Sequence, residues 1–111
     1  MRKILFVCGL ARQRSPAAAK VLSGLLEARG LRRGKDFDIR HAGTSENADI
    51  PLTEGLVAWA DEIYAADDET KAVLETMFNC TRVESLGLDG DYSGGREAML
   101  KVLKNRLSRH V

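Results

Sequence analysis

The chain has 111 residues, of which 44% are hydrophobic and 30% are charged, and its formal net charge is +1. These values are typical of one globular domain over residues 1–111, with no room for a second. The nearly neutral charge gives no reason to expect nucleic acid as a partner, and no apolar stretch is long enough to span a membrane. The apolar run after Lys3 is too short for a secretory signal, so we expect a cytoplasmic protein that binds no membrane.

Strands and helices are predicted to alternate along the whole chain. The predicted strands cover about residues 3–7, 37–41, 63–66 and 82–86. The predicted helices run from about 16 to 29, from Pro51 and Thr53 onward, from a cap at Asp67 or Asp68, and from about Gly95. Gly30 suits the end of the first helix. The buried side of the third helix is predicted to consist of Val73, Leu74, Met77 and Phe78.

Alternation of this kind implies a parallel sheet with right-handed crossovers and helices on both faces. We therefore expect a three-layer α/β/α fold with a four-stranded parallel sheet, and the strand order that we expect is 2-1-3-4. In open sheets of this class, ligands bind at the carboxyl ends of the strands, beside the point where the strand order reverses. The predicted binding edge is next to the end of the first strand.

A short loop with reactive residues follows the first strand. Cys8 ends the apolar run 4–7, five residues separate it from Arg14, and Ser15 and Pro16 come next. We interpret Ser15 as the N-cap of the first helix and Pro16 as its first residue. The loop then joins a strand to a helix N-terminus, where unpaired N–H groups and the helix dipole favour an anion.

Cys8 and Arg14 have the chemistry that an attack on a phosphoryl group requires. The thiolate is the reactive form of cysteine, and a helix N-terminus, a nearby guanidinium and the Ser15 hydroxyl all favour it. The planar guanidinium of Arg14 can hold two phosphoryl oxygens at once. We predict that Cys8 is the nucleophile. The predicted phosphate ligands are Gly9, Leu10, Ala11, Arg12, Gln13, Arg14 and Ser15.

At these residues the sequence resembles the low-molecular-weight protein tyrosine phosphatases, whose motif is cysteine, five residues, arginine, then serine or threonine, usually followed by proline. The motif is matched in register by Cys8, Arg14, Ser15 and Pro16. Ala42–Ser45 resembles the alanine-glycine-threonine-serine segment after the second strand, and Leu56–Tyr64 resembles the helix leading into the third. The resemblance covers nearly the whole chain. Among members of the family, the chain is most similar to short predicted phosphatases of about this length. The resemblance implies a flavodoxin-like fold.

The resemblance implies hydrolysis of phosphomonoesters through a phosphocysteine intermediate, with Cys8 and Arg14 as catalytic residues and without a cofactor. The implied substrate is a phosphorylated protein, phosphotyrosine in particular, or a small phosphomonoester. Inorganic phosphate is then the product and an inhibitor. His41 and His110 lack metal-ligand spacing, so no metal is implied.

The family takes its general acid from an aspartate after the fourth strand, usually followed by proline and tyrosine. The matching segment here is 88–95, and neither Asp89 nor Asp91 precedes a proline. We favour Asp91 over Asp89 as the acid because it lies beside Tyr92, which we expect at the pocket rim. The alternative is that both aspartates are solvated turn residues, since Asp-Gly is a strong turn pattern.

A second departure from the family lies in the loop. The family normally has an asparagine three residues after the cysteine, which holds the loop in shape, whereas this chain has Ala11. A loop without this residue would still bind phosphate but would be less preorganised for catalysis. The alternative function is therefore a weak or inactive phosphatase-like module that binds phosphate or phosphoproteins. Thr44 and Ser45 are predicted either to brace the loop or to cap a turn.

Two further classes of protein would also use a cysteine in the position of Cys8. Arsenate reductases of this fold need a relay of further cysteines, and only Cys80 is available here. A small buried apolar role is the simpler interpretation of Cys80, with redox pairing to Cys8 as the alternative. A phosphocysteine carrier domain of a sugar phosphotransferase system also has a cysteine after its first strand, but it does not require Arg14.

Overall fold

The structure is a computed structural model that describes residues 1–9, 14–88 and 96–111. Its strands are β1 (Arg2–Cys8), β2 (Phe37–Gly43), β3 (Glu62–Ala65) and β4 (Val83–Ser85). Its helices are α1 (Arg14–Ala28), α2 (Glu54–Trp59), α3 (Asp68–Met77) and α4 (Arg96–Leu107), followed by a 3-10 turn at Ser108–His110. The predicted alternation is confirmed, with most boundaries within two residues. No helix in the described ranges is long and apolar enough to cross a membrane.

The four strands are all parallel and follow the order β2-β1-β3-β4, as predicted. β1 is central and pairs with β2 along its whole length, from Arg2 opposite Phe37 to Cys8 opposite Gly43. On its other side β1 pairs with β3, where Val7 lies opposite Ala65. The strand order reverses at β1, and Cys8 lies at its carboxyl end, which is the predicted binding edge.

β1 separates two apolar clusters. Ile4, Phe6 and Cys8 pack with residues of α1 and α4 on one face of the sheet. Leu5 and Val7 pack with residues of α2 and α3 on the other face. Burial on both faces explains why β1 is a continuous apolar run, without the alternation of a half-exposed strand.

α1 begins at Arg14, so the prediction of Ser15 as its N-cap is wrong. Ser15 lies in the first turn with its side chain buried. Pro16 is the third residue of α1 and not the first, a position that tolerates proline because N–H groups of the first turn have no intrahelical partner.

The predicted end of α1 at Gly30 is confirmed. Gly30 has a φ of +84°, and its N–H donates to the carbonyl of Glu27 at 2.9 Å. The N–H of Leu31 donates to the carbonyl of Leu26 at 3.2 Å. These two bonds form a Schellman motif, which glycine favours because it adopts positive φ without steric cost.

Thr53 and Asp67 cap the next two helices. Oγ1 of Thr53 accepts a hydrogen bond from the N–H of Leu56 at 3.1 Å, at the start of α2. Oδ1 of Asp67 accepts one from the N–H of Thr70 at 2.7 Å, at the start of α3. Of the two predicted caps of α3, Asp67 is therefore the cap.

The buried side of α3 differs from the prediction at two residues, because Val73 is only partly buried and is not among the residues of the apolar cluster, and Met77 is exposed. Leu74 is fully buried and Phe78 packs against the same cluster. Met77 is 75% exposed, so its predicted burial is wrong. Met77 ends the helix, and its side chain lies outside the cluster that Leu74 and Phe78 contact.

The amino end of the sheet is tied to the C-terminal turn. The guanidinium of Arg2 donates to both carboxylate oxygens of Glu62, at 2.7 and 2.8 Å, and to the carbonyl of His110 at 2.8 Å. The Tyr64 hydroxyl donates to Glu62 at 2.9 Å, and its ring stacks on Phe6 with the centroids 5.4 Å apart. Burial raises the pKa of Tyr64 well above its usual value, and the bond to Glu62 adds to this effect.

Candidate active site

Cys8 and Ser15 lie at the centre of the site. Cys8, the last residue of β1, is 3% exposed, and Ser15, in the first turn of α1, is 1% exposed. Cys8 Sγ and Ser15 Oγ are 3.1 Å apart, which is a hydrogen bond. A hydroxyl in this position can donate to a thiolate and stabilise its negative charge.

Backbone groups after β2 brace the start of the loop. The N–H groups of Thr44 and Ser45 donate to the carbonyls of Cys8 and Gly9, each at 2.9 Å. The Ser45 hydroxyl accepts a hydrogen bond from the N–H of Asn47 at 3.1 Å. The Ser45 hydroxyl therefore caps a turn, which is one of the two predicted roles, and backbone N–H groups brace the start of the loop. Bracing by the hydroxyls, the other predicted role, stays a prediction.

Arg14 is oriented by the carboxylate of Asp67, which lies just after β3 and caps α3. Its Nη1 atom lies 2.5 Å from Oδ2 of Asp67, whose side chain is only 12% exposed. The other oxygen of Asp67 is the cap of α3 and accepts the N–H of Thr70. One carboxylate thus joins the first residue of α1 to the first turn of α3.

Asp67 is ionised at neutral pH. Burial opposes its ionisation, but hydrogen bonds from the hydroxyl and N–H of Thr70 and from Arg14 outweigh that effect, so the pKa of Asp67 lies below its usual value. A charged partner on Nη1 restricts the rotation of the guanidinium and leaves its remaining N–H groups for other acceptors.

The sequence pattern predicts Asp67 only as a candidate helix cap, and its contact with Arg14 was not predicted. The available indication was its position just after β3, since the order 2-1-3-4 places the carboxyl end of β3 beside that of β1. A carboxylate also has two oxygens, so a capping aspartate has one left for a second donor.

The chain after β4 is held close to this edge by two backbone hydrogen bonds. The N–H of Leu86 donates to the carbonyl of Ala65, and that of Leu88 to the carbonyl of Ala66, both at 2.7 Å. Leu88 is buried and directly precedes Asp89. The candidates outside the described residues are Leu10, Ala11, Arg12, Gln13, Asp89, Asp91 and Tyr92, whose roles stay predictions.

Cys8 and Cys80 lie on opposite faces of the sheet and form no disulfide. Cys80 is 5% exposed and precedes the amino end of β4, whereas Cys8 is at the carboxyl end of β1. Because β3 separates β1 from β4, the strand spacing alone amounts to about 10 Å. A disulfide requires Cα atoms within about 7 Å. The fold therefore favours a buried apolar role for Cys80 and speaks against redox pairing with Cys8.

The two histidines lie in separate surroundings. The Nδ1 atom of His41 is buried and has no hydrogen-bond partner among the described residues. Burial, together with the charge of Arg33, lowers the pKa of His41. His110 Nε2 lies 3.1 Å from a carboxylate oxygen of Glu84. Within the part of the chain that the structure describes, no group of three or more His, Cys, Asp or Glu could hold a metal ion.

No protein-family model matches the sequence, and no curated protein does so either. Several solved structures share the fold. A protein tyrosine phosphatase from Entamoeba histolytica matches with a TM-score of 0.82 and 19% identity, over 96% of this chain and 90% of that chain. A low-molecular-weight protein tyrosine phosphatase from T. tengcongensis matches with a TM-score of 0.73 and 20% identity, over 100% of both chains. The YwlE arginine phosphatase from Geobacillus stearothermophilus matches with a TM-score of 0.71 and 20% identity, over 99% of this chain and 92% of that chain.

The chain therefore has the flavodoxin-like fold of the low-molecular-weight protein tyrosine phosphatases over nearly its whole length. The resemblance based on the motif from Cys8 to Arg14 is confirmed at the level of the fold. At this level of identity the likeness extends to the fold alone.

Proposed function

We propose that the protein is a cysteine-dependent phosphomonoester hydrolase. The observation that carries this proposal is the 3.1 Å contact between Cys8 Sγ and Ser15 Oγ at the carboxyl edge of β1. Arg14, held by Asp67, starts the same helix turn. Phosphoryl transfer by a cysteine needs three groups: a nucleophile, a hydrogen-bond donor to its thiolate, and an oriented guanidinium.

In the first step, the Cys8 thiolate attacks the phosphorus in line with the leaving oxygen. An S–P bond forms as the P–O bond to the leaving group breaks, giving a phosphocysteine. Arg14 and the N–H groups of the loop hold the three equatorial oxygens as charge develops on them. The Ser15 hydroxyl stabilises the thiolate before it attacks, and it stabilises the same thiolate again when the S–P bond breaks in the second step.

Asp91, or Asp89 in its place, supplies the proton that the leaving oxygen takes up. In the second step the same carboxylate, now ionised, removes a proton from water as the water attacks phosphorus. The S–P bond breaks, inorganic phosphate leaves, and the thiolate is restored. The backbone bonds of Leu86 and Leu88 to the end of β3 and to Ala66 support an acid from the segment that follows, because they hold the residue before Asp89 beside the edge at which Cys8 lies.

The proposed substrate is a phosphorylated protein or a small phosphomonoester, and the protein works without a metal or other cofactor. Structures with this fold include both tyrosine phosphatases and an arginine phosphatase. Comparing a phosphotyrosine peptide with a phosphoarginine peptide will therefore define the substrate class by the relative kcat/KM.

The test is hydrolysis of p-nitrophenyl phosphate in the presence of a chelator. Wild type should turn over, Cys8→Ser should be inactive, and Cys80→Ser, which changes the other buried thiol, should keep its activity. Wild-type turnover no higher than that of Cys8→Ser would exclude the enzyme. Titration with phosphate or vanadate in the same samples detects the alternative function, a module that binds the anion without hydrolysis.

A further inference from the structure

The charge of this chain is unevenly distributed along its sequence. The segments 12–35 and 96–111, which contain α1 and α4, hold 12 of the 17 Lys and Arg residues and two of the 16 acidic residues. The rest of the chain holds five basic and 14 acidic residues. α1 and α4 themselves hold six of these basic residues and both acidic ones, and they pack together on one face of the sheet. The net charge of +1 of the whole chain therefore masks an excess of positive charge in this pair of helices.

A groove with an apolar floor runs between these two helices. Its volume is about 530 Å³, and its apolar lining comes from Val21, Leu25 and Ala28 of α1 and Leu100 of α4. The exposed lysines Lys20 and Lys104 line it from the two helices. No acidic side chain is among its lining residues in the described chain.

Gly24 lines the same groove, in the middle of α1. Glycine in a helix interior destabilises the helix relative to alanine, so it needs a reason. Packing within the chain does not supply one, because a Cβ built at Gly24 has nothing within 4 Å among the described atoms. The absence of a side chain instead leaves the backbone of α1 open to close approach from outside.

We propose that this groove is a docking site for an acidic amphipathic helix of a partner protein. Leucine-like side chains at helical spacing would fill the floor over Gly24, and carboxylates on the flanks would pair with Lys20 and Lys104. The site is separate from the catalytic edge and uses no residue assigned to catalysis.

The shape of this face favours a peptide over a membrane or a nucleic acid. Membrane insertion needs protruding apolar side chains, and the exposed large hydrophobic residues of the described chain, Met1, Ile50 and Met77, are all outside this groove. Single-stranded nucleic acid binds on aromatic platforms, and no aromatic residue is among those that line the groove in the described chain. A recessed apolar floor between basic edges matches an amphipathic helix instead.

Titration calorimetry with a synthetic helical peptide tests this proposal. The peptide has leucines on one face and glutamates beside them, and two matched peptides carry lysine for glutamate or serine for leucine. Only the first peptide should bind wild type, and added salt should weaken its binding. Lys20→Glu with Lys104→Glu should weaken binding by about tenfold or more, and the lysine peptide should bind this double variant.

Two further variants separate docking from general charge and from folding. Lys101→Glu makes the same charge change on an exposed residue of α4 outside the groove, and it should bind the peptide as wild type does. Gly24→Leu should raise the Tm, because it removes a helix glycine, and at the same time abolish binding. Loss of binding with a raised Tm cannot come from unfolding.

The proposal is overturned if the acidic peptide does not bind at millimolar concentration. It is also overturned if Lys101→Glu weakens peptide binding as much as the double variant at Lys20 and Lys104 does. Binding to vesicles of phosphatidylglycerol and phosphatidylcholine without binding to the peptide assigns the face to a membrane and also overturns it. Self-association that Lys104→Glu abolishes, measured by sedimentation, would show that a second copy occupies the groove, with the same consequence.

Discussion

Ser15 is the residue whose contact distinguishes Cys8 from an ordinary buried cysteine. Its hydroxyl and the thiol are both almost fully buried and 3.1 Å apart. A hydrogen bond to a charged group contributes about 1.5–3 kcal/mol. Ser15→Ala should therefore lower kcat for p-nitrophenyl phosphate by about 10- to 100-fold.

The matched control for Ser15 is Ser23→Ala in the same helix. Ser23 is also buried but bonds to Glu27 at 3.0 Å, away from Cys8. Steady-state kinetics of both variants should separate them clearly. Equal kcat values for Ser15→Ala and Ser23→Ala would contradict the assigned role of Ser15.

Asp67 contacts Arg14, and we expect it to act as a positioning residue through that guanidinium. Asp67→Asn keeps the cap of α3, because asparagine caps a helix as well as aspartate does, but it removes the charge that orients the guanidinium. We expect kcat to fall by about 10- to 100-fold, with a smaller change in KM, since misplacement affects the transition state most.

Asp68→Asn provides the comparison for Asp67, because Asp68 is the adjacent acidic residue and is exposed. It should leave both constants close to those of wild type. The positioning role would be disproved if Asp67→Asn raised KM and left kcat unchanged. It would also be disproved if this variant unfolded at a temperature low enough to explain the lost activity.

At the scale of elements, we expect opposite effects on stability from substituting Gly24, inside α1, and Gly30, just beyond its end. Gly30 has positive φ, so Gly30→Ala should lower the free energy of unfolding by about 1 kcal/mol. Gly24 lies in regular helix with open space around it, so Gly24→Ala should raise that free energy by about 0.5–1 kcal/mol. Urea denaturation measures both, and shifts of equal sign would contradict the described end of α1.

The sequence predicted element types well and element details less well. A helix stripe has a characteristic period and a strand buried on both faces is a continuous apolar run, and both patterns are local to the sequence, so the sequence predicts α1 and β1. The start of α1 was placed late, because Ser15 has the chemistry of an N-cap and its alternative partner, Cys8, is a tertiary contact. The predicted burial of Met77 was wrong for a similar reason, since the helical period of apolar residues does not show where the apolar cluster of the folded protein ends.

At the scale of the whole molecule, the network at the amino end of the sheet connects both ends of the chain. The pKa of Tyr64 is raised in the folded state. The stability that its protonated hydroxyl contributes is therefore fully present below the usual tyrosine pKa of about 10 and is lost as the pH rises above that value. Tyr64→Phe should flatten this alkaline loss. Unfolding curves measured across that range check it, and parallel curves for the two proteins would contradict it.

The site was predictable as a motif but not as an assembly. Cys8 and Arg14 are joined by their spacing in the sequence, whereas Asp67 reaches Arg14 only because β3 lies beside β1. The topology needed for that step was available, but a single aspartate after a strand has the same pattern as any helix cap. Contacts between distant segments are therefore where prediction from one sequence stops.

The central claim is that Cys8 carries the phosphoryl group during turnover. The most direct measurement is rapid acid quenching during p-nitrophenyl phosphate hydrolysis, followed by mass spectrometry of the peptides. We predict one phosphoryl group on the peptide that contains Cys8, and none on that peptide in Cys8→Ala. Hydrolysis without any phosphoryl group on Cys8, or undiminished hydrolysis by Cys8→Ala, would contradict the account.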